Sequence, residues 1–462
     1  MLTILAENVI GLREDEYDQF NKLVKVYNFH AAKNFEKDRY YEGKIALEDV
    51  NLGIALPEGM SKLEIGCAWG AKAVDVLAAR SMFDGFVGGD GVDVTLLATI
   101  VQDNRLIAEY AKACRDELKY GCTFATLSGD SATGCRIRFH SPQTASALWD
   151  GEAGRVKCGL AIMDTVPSED EEPIWIPSRI NYYTDSAIWV LTRTEEVWYA
   201  EEYTHRMGRP LFEPLIWNAT SNKPFGRSRI KEPIRRLIQG YVRTIANATI
   251  GLEFATAPQK YILGVTDEQY DVLINQKFKQ YVGSILAATS NPETGEKPTF
   301  GQLVQGNISP HVEMLRVLAT QFSAATGLPV TDTGVVNDAN PTSSDAIEAQ
   351  TKTLVGLAQD LNIGNGDSLR TIAIMAMAIA TNRSMNDLTD EEKAVMAHFK
   401  NPALPSVAAS ADAAIKIASA REGFATTDVF LEMIGFDQAD IQRIKALETR
   451  ARGMAVLAEM GE

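Results

Sequence analysis

Apolar positions in the first part of the chain recur at helical spacing. Steps of three and four residues predict an amphipathic helix over residues 14–42. The same spacing predicts a helix from Trp69 to Phe83 and a longer one from Val94 to Tyr120. Gly121 is placed to end the longer helix, because glycine readily adopts the left-handed conformation just past a helix C-terminus. The chain up to residue 121 is therefore predicted to be largely helical.

The pattern changes between Cys122 and Trp217. Short runs rich in Phe, Val, Ile, Tyr, Trp and Thr are separated by turns that contain Gly, Pro or Asp. The runs CRIRFHS, AIWVLTRT and EVWYAEEYTH alternate between apolar and polar positions, which is typical of strands with one exposed face. We expect an antiparallel, partly exposed sheet in this region. The acidic run Glu169–Glu172 is predicted to be a solvated loop.

Helical spacing returns in the middle of the chain. It predicts helices from Ser228 towards Phe254, from Asp267 to Ala287 and from Val312 to Thr326, with a short strand at KYILG. Residues 327–341, GLPVTDTGVVNDANP, have no usable period and many turn formers, which predicts a loop. Loops of this length in compact domains are usually functional or disordered.

The last part of the chain is again predicted to be helical. Thr342–Asp345 fits a capping box, in which side-chain oxygens bond to the first N–H groups of a helix. We expect this helix to be interrupted by GNG at 364–366, with a second helical stretch running to about Ala380. The alanine-rich remainder is predicted to form several short helices, separated by Pro402 and Pro405.

Composition and charge narrow the class of protein. The chain has 462 residues, which at about 150 residues per domain indicates roughly three compact units. Its 45 Lys and Arg residues against 61 Asp and Glu residues give a net charge of −16, whereas a DNA-binding domain is usually basic. We therefore do not expect a protein that wraps DNA along its whole length, although local basic patches are compatible with this charge.

Membrane and targeting segments are not expected. The N-terminal run has no basic n-region, and Glu7, Asn8 and Arg13 interrupt its apolar residues, unlike a signal peptide. The longest apolar stretch, Ile372–Ala380, is far shorter than the ~20 residues of a membrane span. Five cysteines without a CxxC pair predict buried thiols rather than disulfides or a zinc ribbon. We expect a soluble chain made in the cytosol, with no membrane partner.

The segment LEIGCAWGAKAVDVL, residues 63–77, is similar to the glycine-rich first loop of Rossmann-like methyltransferases. Only Gly66 and Gly70 match that loop, and Ala68 stands where a third glycine is usual. The region that follows is helical and does not continue a βαβ alternation. We expect a turn into a core helix, and an S-adenosylmethionine-dependent methyltransferase is the alternative function.

No other motif predicts chemistry. GGDGVD, residues 88–93, lacks the ligand spacing of a calcium loop, and Asp93 is well placed to cap the next helix. The five histidines belong to no two-histidine helix motif and to no GxSxG-type nucleophile motif. The chain also has no GxxxxGKS or GxxxxGKT phosphate-binding loop. We therefore expect no catalytic residue, no metal and no cofactor.

One basic segment stands out in the acidic chain. Between residues 223 and 243 seven basic side chains accompany a single acidic one, a local charge of 7 − 1 = +6. Such a patch can hold phosphates by charge and counterion release, or it can be a solvated or salt-bridged helix face. The sequence leaves both interpretations open. The basic residues are Lys223, Arg227, Arg229, Lys231, Arg235, Arg236 and Arg243, and the acidic one is Glu232.

Three further motifs occur in a fixed order. The first motif is a YY-x-G helix end followed by a W-x-x-KAVD-x-LA-x-R helix. The second is FGRSRI, Phe225–Ile230, followed by an amphipathic helix and by FATAPQKYILG, Phe254–Gly264. The third is a TGLP loop followed by an N-P-x-S-x-x-AI-x-A helix start. Together these motifs resemble the portal proteins of tailed double-stranded DNA bacteriophages, of the siphophage type. Apart from the two central segments, the matching residues are Tyr40, Tyr41, Gly43, Trp69, Ala73, Val74, Asp75, Leu77, Ala78, Arg80, Thr326–Pro329, Asn340, Pro341, Ser343, Ala346, Ile347 and Ala349.

The resemblance implies an α+β portal fold that assembles as a ring. Such a fold has an α/β wing, a two-helix stem, a small α/β clip and a helical crown. The predicted elements fit this plan with a wing of helices and antiparallel sheet at residues 1–222, stem helices at 223–256 and 308–327, a clip at 257–307, a tunnel loop at 328–341, a long wing helix at 342–382 and a crown at 383–462.

The resemblance also implies a channel and not an enzyme. Portal proteins form a ring at one capsid vertex, through which double-stranded DNA is packaged and ejected. The implied partners are further copies of the chain in a homo-oligomer, expected to be a dodecamer, DNA that passes non-specifically, a large terminase motor, a head–tail adaptor, and major capsid and scaffold proteins. The implied location is the virion, after assembly in the bacterial host cytoplasm.

Three sets of residues are expected to carry this function. DNA that moves through a channel must be released at every step, so weak, sequence-blind contacts suit the constriction, and basic residues can position phosphates without reading bases. The expected channel residues of the tunnel loop are Thr331, Asp332, Thr333, Val335, Val336, Asn337 and Asp338. The expected phosphate contacts of the stem are Arg227, Arg229, Lys231, Arg235, Arg236 and Arg243. The expected partner-docking residues of the clip are Lys260, Tyr261, Gln280, Glu293 and Lys297.

A second alternative is another structural virion protein, such as a head–tail adaptor or a minor capsid protein. Such a protein would also be oligomeric, but it would lack the channel and the stem–clip–stem order. The length of the chain and its separated pair of central helices favour the portal over the adaptor.

Overall fold

The computed structural model describes most of the chain. The residues that it does not describe are 1, 6–7, 46–64, 90–91, 131–133, 169–173, 257–259, 267–294, 296, 303–306, 335–343, 404–406, 422, 437 and 460–462. The predicted acidic loop 169–172, the predicted helix 267–287 and the predicted capping box 342–345 lie wholly or largely outside the described residues.

Helices and strands both occur, as an α+β fold requires. The α-helices are α1 (Glu14–Tyr41), α2 (Trp69–Ala78), α3 (Val94–Asp103), α4 (Leu106–Tyr120), α5 (Glu232–Thr256), α6 (Ser309–Thr326), α7 (Ser344–Ala380), α8 (Val407–Ala420), α9 (Asp428–Ile434) and α10 (Gln438–Glu459). The strands are β1 (Val9–Ile10), β2 (Phe83–Val87), β3 (Cys122–Asp130), β4 (Gly134–His140), β5 (Ala145–Asp150), β6 (Arg155–Pro167), β7 (Trp175–Tyr183), β8 (Ala187–Thr194), β9 (Val197–Thr204), β10 (Phe212–Ile216), β11 (Lys260–Leu263), β12 (Thr299–Gln302) and β13 (Met396–Phe399).

The predicted sheet region forms two sheets. One has six strands in the order β1-β9-β8-β7-β6-β5, and the other has three strands in the order β10-β3-β4. Neighbouring strands are antiparallel, as predicted, except that β1 runs parallel to β9. The six-stranded sheet buries one face against α1, where Phe20 packs edge-on against Tyr182 at 5.6 Å between ring centroids.

The three-stranded sheet lies between helices and the larger sheet. Phe212 of β10 packs against Tyr183 of β7 at 5.5 Å between ring centroids, which joins the two sheets. On its other side the three-stranded sheet contacts α4 and α7. The hydroxyl of Ser368 in α7 donates to the carbonyl of Pro214 at 2.7 Å. The main apolar core therefore lies between this sheet and the long helix α7.

Several predicted elements are confirmed. Helix α1 matches the prediction over residues 14–42, and Gly121 ends α4 with a φ of 109°. Asp93 caps α3 by accepting a hydrogen bond from the Leu96 amide at 2.9 Å. The KYILG strand pairs with β12, and the predicted helix up to Thr326 is present as α6. All five cysteines are buried and none forms a disulfide.

The predicted helix from Trp69 to Phe83 was too long. Helix α2 ends at Ala78, and Phe83 begins strand β2, which pairs with the unpredicted strand β13. Phe83 belongs to an aromatic cluster with Phe86, Tyr110 and Phe399, at ring-centroid distances of 5.1 to 5.9 Å. The strand is thus stabilised by a partner more than 300 residues away, which local spacing does not reveal.

The predicted helix from Val94 to Tyr120 is two helices. The break lies at Asn104 and Arg105, where Arg105 has a φ of 50°. The Asn104 amide donates to the Cys135 carbonyl at 2.9 Å and accepts from the Ile137 amide at 2.8 Å. The Asn104 side chain bonds to the backbone of β4 in the way that a neighbouring strand would, so a tertiary contact holds the turn between α3 and α4.

The predicted interruption at GNG, residues 364–366, was wrong. Helix α7 runs without a break from Ser344 to Ala380. Asn365 is fully buried, and its amide donates to Glu117 at 2.8 Å and to the Tyr110 hydroxyl at 3.0 Å. Tertiary packing therefore outweighs the intrinsic cost of two glycines in a helix, which is about 1 kcal/mol each.

Two smaller differences concern the middle and the end of the chain. Helix α5 begins at Glu232 and not at Ser228, because the Ser228 hydroxyl bonds to the Lys119 carbonyl at 2.5 Å. The tail is helical as predicted, but its helices α8, α9 and α10 all follow Pro405, and α10 with 22 residues is not short. Among the described helices, none has both the length and the apolar content that a bilayer span requires.

Candidate functional site

One part of each of the three motifs lies at one place, which we call the helix junction. It is defined by Trp69 of α2, Arg229 before α5, Phe322 of α6 and Thr333 after α6. Trp69 stacks on Phe322 at 4.8 Å and packs against Tyr241 of α5 at 4.7 Å. Its indole N–H donates to the Thr333 carbonyl at 3.0 Å. One buried side chain thus connects α2, α5, α6 and the start of the predicted tunnel loop.

Arg229 holds the same junction from the other side. Its guanidinium donates to the Ala73 carbonyl of α2 and, at 2.6 Å, to the Thr326 carbonyl at the end of α6. It also lies 5.8 Å from the ring centre of Trp217. Burial lowers the pKa of Arg229 to about 10, so the side chain remains charged at neutral pH. Arg229 is therefore a buried cation that bonds to two carbonyls, and its role in the fold is structural.

The first motif supports the junction from α1. The amide of Gln239 in α5 donates to the Tyr40 hydroxyl at 2.5 Å, and the Tyr41 hydroxyl donates to Asp75 at 2.9 Å. A Cβ on Gly70 would overlap the Tyr40 carbonyl oxygen. The motif pattern therefore has a packing explanation, because α1 and α2 approach so closely that only glycine fits at this position.

The TGLP motif ends α6 and turns the chain. Gly327 has a φ of 72° and its N–H bonds to the Ser323 carbonyl at 2.8 Å. The Ser323 hydroxyl donates to the Leu328 carbonyl at 2.6 Å. A Cβ on Gly327 would lie 2.9 Å from Leu357 of α7. The sequence needs glycine here both for the left-handed conformation and for the close approach of α7.

The glycine-rich segment does not form a cofactor loop. Helix α2 leads to β2, whose described partner is the antiparallel strand β13, and no parallel sheet of the βαβ kind occurs among the described residues. The backbone at Gly70 is in contact with Tyr40, and Gly66 has open space around its Cβ position. The expected turn into a core helix is confirmed, and the methyltransferase alternative has no structural support.

The tunnel-loop residues differ in exposure. Val330–Thr333 form a 3₁₀ turn, in which Thr331 is exposed, Asp332 is half-buried and Thr333 is buried. The Thr333 hydroxyl donates to the Val330 carbonyl at 2.6 Å, within its own turn. Val335, Val336, Asn337 and Asp338 lie outside the described residues. Of the described loop residues, Thr331 is the one with an accessible side chain.

The basic segment divides into exposed and packed residues. Arg227 and Lys231 are exposed, and Arg236 is exposed while it pairs with Glu232 at 2.8 Å. Arg235 is four-fifths buried and forms ion pairs with Glu36 of α1 and with Glu232. Arg243 is half-buried on α5. The salt-bridged interpretation therefore holds for Arg235, which binds α5 to α1, while phosphate contact by the exposed residues stays a prediction.

The clip residues are described only in part. Lys260 and Tyr261 lie on β11, and Tyr261 packs over Gly301 of the partner strand β12. Lys297 is exposed just before β12, next to exposed apolar side chains of Leu263 and Phe300. Gln280 and Glu293 lie outside the described residues. The described hairpin therefore presents both polar and apolar side chains at its surface.

Sequence reasoning missed a buried polar cluster beside the junction. It contains Glu117 and Tyr110 of α4, Asn365 and Asn362 of α7, and Ser81. The Ser81 hydroxyl lies 2.7 Å from the Tyr110 hydroxyl and donates to Asn362 at 2.6 Å. Burial raises the pKa of Glu117 to about 8. The signal was present, because Glu117 follows Tyr110 and Cys114 on the apolar face of the predicted helix.

Comparisons with known proteins agree with the motifs. No family model matches the chain. The portal protein of Mycobacterium phage D29 is 23% identical over 437 residues, which cover 91% of this chain and 86% of that protein. The portal protein of Mycobacterium phage L5 is 23% identical over 438 residues, with the same coverage.

Two solved structures are also similar in part. The neck of a native GTA particle, computed with C12 symmetry, has a TM-score of 0.45 and 12% identity, over 80% of this chain and 89% of that chain. The neck of an empty GTA particle, computed with C6 symmetry, has a TM-score of 0.44 and 12% identity, over 80% of this chain and 90% of that chain. The sequence similarity to two curated portal proteins spans nine-tenths of the chain. The chain is therefore similar along most of its length to the portal proteins of tailed bacteriophages.

Proposed function

We propose that this chain is the subunit of a ring-shaped portal at one capsid vertex, through which double-stranded DNA is packaged and ejected. The observation that carries the proposal is the similarity to two phage portal proteins along 91% of the chain. A similarity that spans nine-tenths of the chain favours the portal over a head–tail adaptor or a minor capsid protein, which were the remaining structural alternatives.

The proposed division of the chain follows the order of its elements. Residues 1–222 with the long helix at 342–382 form the wing, and residues 223–256 and 308–327 form the stem. Residues 257–307 form the clip, 328–341 the tunnel loop and 383–462 the crown. The helix junction lies where the proposed wing, stem and tunnel loop join, so a movement of the loop is coupled to both stem helices through Trp69.

The proposed DNA contacts are weak because the loop offers polar and acidic groups and the chain as a whole is acidic. Thr331 and Asp332 offer polar and acidic groups at the loop, together with Val335, Val336, Asn337 and Asp338. The net charge of −16 repels the duplex from the wall. On the stem, Arg227, Lys231, Arg236 and Arg243 are the proposed phosphate contacts. Arg229 and Arg235 are left out, because the first is buried and the second is paired with Glu36 and Glu232.

The proposed partners act at the ends of the channel. A large terminase motor docks on the clip, where Lys260, Tyr261 and Lys297 are the described docking residues, and a head–tail adaptor replaces it after packaging. ATP hydrolysis belongs to that motor, and the portal itself performs no chemistry. Assembly with capsid and scaffold proteins takes place in the cytoplasm of the bacterial host, and the finished ring stays in the virion.

A thiol placed in the loop tests the proposed channel. All five native cysteines are buried, so Thr331→Cys adds an accessible thiol to the described part of the chain. Rings of this variant are labelled with a bulky maleimide and then used in a DNA-packaging assay. We expect labelling to block packaging, because the adduct narrows the path of the duplex.

The matched control is Thr204→Cys, at an exposed position on strand β9 of the six-stranded sheet. Labelling of this variant is expected to leave packaging unchanged. If labelled Thr331→Cys rings package DNA as fast as unlabelled ones, the loop does not line the path of DNA.

A further inference from the structure

The outward face of α1 exposes apolar side chains. Phe29, Ala32 and Phe35 recur at steps of three residues, and all three are exposed. Phe29 is 66% exposed, which is more than any other Phe, Tyr or Trp among the described residues. Because residues three apart are neighbours on a helix surface, these side chains form one row along α1. The row lies away from the core, which α1 contacts through Phe20 and Tyr27.

The row leads into a cleft of about 490 Å³ beside α1. Phe35 lines the cleft from α1, and Ile174 and Trp175 line it from the beginning of β7. Ile174 and Trp175 each expose more than half of their surface. Contiguous exposed apolar side chains are typical of a binding surface. The α1 groove, as we call this surface, consists of Phe29, Ala32, Phe35, Ile174 and Trp175.

Three lysines border the row on α1. Lys22, Lys25 and Lys33 are exposed, and each lies four or seven residues from Phe29, so they share its side of the helix. The Lys33 ammonium lies 4.3 Å from the centre of the Phe29 ring, and none of the three forms an ion pair with a carboxylate among the described residues. Residues 19–35 contain these three lysines and no acidic residue. This stretch of α1 is therefore positively charged.

The acidic residues nearest to the groove are paired with basic residues or lie at its ends. The ion pairs join Glu36 to Arg235, and Asp38, which also lines the cleft, to Lys119. Asp18 is exposed at the N-terminal end of the lysine stretch, and the acidic run 169–172 ends two residues before Ile174 in the sequence. The positive charge is therefore confined to the middle of α1, around Phe29.

We propose that the α1 groove binds an amphipathic helix of another protein, which places apolar side chains on Phe29, Phe35 and Trp175 and acidic side chains opposite the three lysines. An apolar centre with a charged rim is a usual arrangement of protein–protein contacts, and an amphipathic helix in an apolar groove is a recurring mode of recognition. The net charge of −16 repels an acidic partner from the rest of the surface, so the lysines select this place. The proposal goes beyond the portal function and does not depend on ring formation.

The groove is less suited to duplex DNA. Lys25 and Lys33 are about 12 Å apart along the helix axis, and Phe29 lies between them. A duplex presents phosphates on its outside, whereas aromatic side chains stack on bases that are unpaired. Phe29, Phe35 and Trp175 would be left without apolar contacts on a duplex, but each buries apolar surface under a helix. The composition of the groove therefore favours a protein.

Peptide binding to the full-length chain tests this inference. The probe is a synthetic amphipathic peptide of about 20 residues, long enough to form a helix. It has leucines along one face, glutamates on both sides of that face and a fluorescent label, and its affinity is measured by fluorescence anisotropy. A second peptide, with glutamine in place of every glutamate, is expected to bind at least about tenfold more weakly, because it offers no charge to the lysines.

Two sets of substitutions in the groove are compared. Lys22→Gln with Lys25→Gln and Lys33→Gln removes the charged rim, and Phe29→Ser with Phe35→Ser removes two of the apolar contacts. Each set is expected to weaken binding of the glutamate peptide at least about tenfold. All five residues are exposed, so both variants are expected to unfold at the same temperature as the unchanged chain.

The matched control is Lys44→Gln with Lys72→Gln and Lys112→Gln, at three exposed lysines that do not line the groove. It removes the same charge and is expected to leave peptide binding unchanged. The proposal is overturned if the glutamate peptide does not bind the unchanged chain, if the two peptides bind equally, or if either groove variant binds as before. A short DNA duplex that displaces the peptide and loses its own binding in the lysine variant alone would assign the groove to phosphate instead. Loss of self-association in the phenylalanine variant would assign it to a second copy of the chain.

Discussion

Glu117 makes the stability of the fold depend on pH. This carboxyl is fully buried between α4 and α7, and it accepts a hydrogen bond from Asn365 at 2.8 Å. Its other oxygen has no hydrogen-bond partner among the described residues. Burial raises the pKa of Glu117 from 4.5 to about 8, against a smaller lowering by Asn365. In the folded protein, Glu117 is therefore protonated across a pH range in which the unfolded chain has lost that proton.

The size of the effect follows from proton linkage. Because the folded state holds one more proton than the unfolded state between pH 4.5 and 8, stability is greatest below this range and falls as pH rises through it. The slope is about 1.4 kcal/mol per pH unit. The slope becomes smaller as the pH approaches the folded-state pKa of about 8. The contribution of Glu117 to the free energy of unfolding therefore falls by about 2 kcal/mol between pH 6 and pH 8.

The test is urea unfolding of the unchanged chain and of Glu117→Gln at both pH values. Glutamine keeps the shape and can still bond to Asn365, but it does not ionise. We expect the loss of stability from pH 6 to pH 8 to be about 2 kcal/mol smaller in Glu117→Gln. Glu109→Gln, a half-buried position at the surface of the same helix, is expected to behave like the unchanged chain. An identical pH dependence in Glu117→Gln would refute the reasoning.

Two further predictions test the helix junction. Arg229→Met should lower the free energy of unfolding by about 2 to 4 kcal/mol, because it leaves the Ala73 and Thr326 carbonyls without their donor. The control, Arg236→Ala at an exposed position, should change the free energy of unfolding by less than about 0.5 kcal/mol. Equal effects of the two substitutions in urea unfolding would contradict the structural role of Arg229. Gly70→Ala should unfold at a lower temperature than the unchanged chain, because its Cβ meets Tyr40, whereas Gly66→Ala should not. Calorimetry should detect no binding of S-adenosylmethionine to the unchanged chain or to either variant, whereas a methyltransferase would bind it.

The local sequence pattern was sufficient to predict the elements that bury one face against a single neighbouring element. Helix α1 repeats apolar residues at helical spacing against the six-stranded sheet, and its predicted bounds agree with the structure to within one residue. Strands β4 and β8 alternate between more and less buried positions, as their sequences predict. At the helix ends, Gly121 and Gly327 supplied the necessary left-handed conformation, so the sequence carried that information locally.

Elements that depend on distant residues were not predictable in the same way. The break at Asn104 depends on the backbone of β4, and the unbroken passage of α7 through Asn365 depends on Glu117 and Tyr110. Strand β13 forms because β2 offers it an edge. For the candidate site, the buried position of Arg229 follows from two carbonyls on α2 and α6, which no local pattern encodes.

The measurement that most directly tests the portal assignment is electron microscopy of the purified full-length chain in negative stain, with its mass determined in parallel. The account predicts closed rings with a central hole, with a mass expected to be twelve times that of the 50.6 kDa subunit. Monomers or dimers at every protein concentration, or open filaments without a channel, would contradict it.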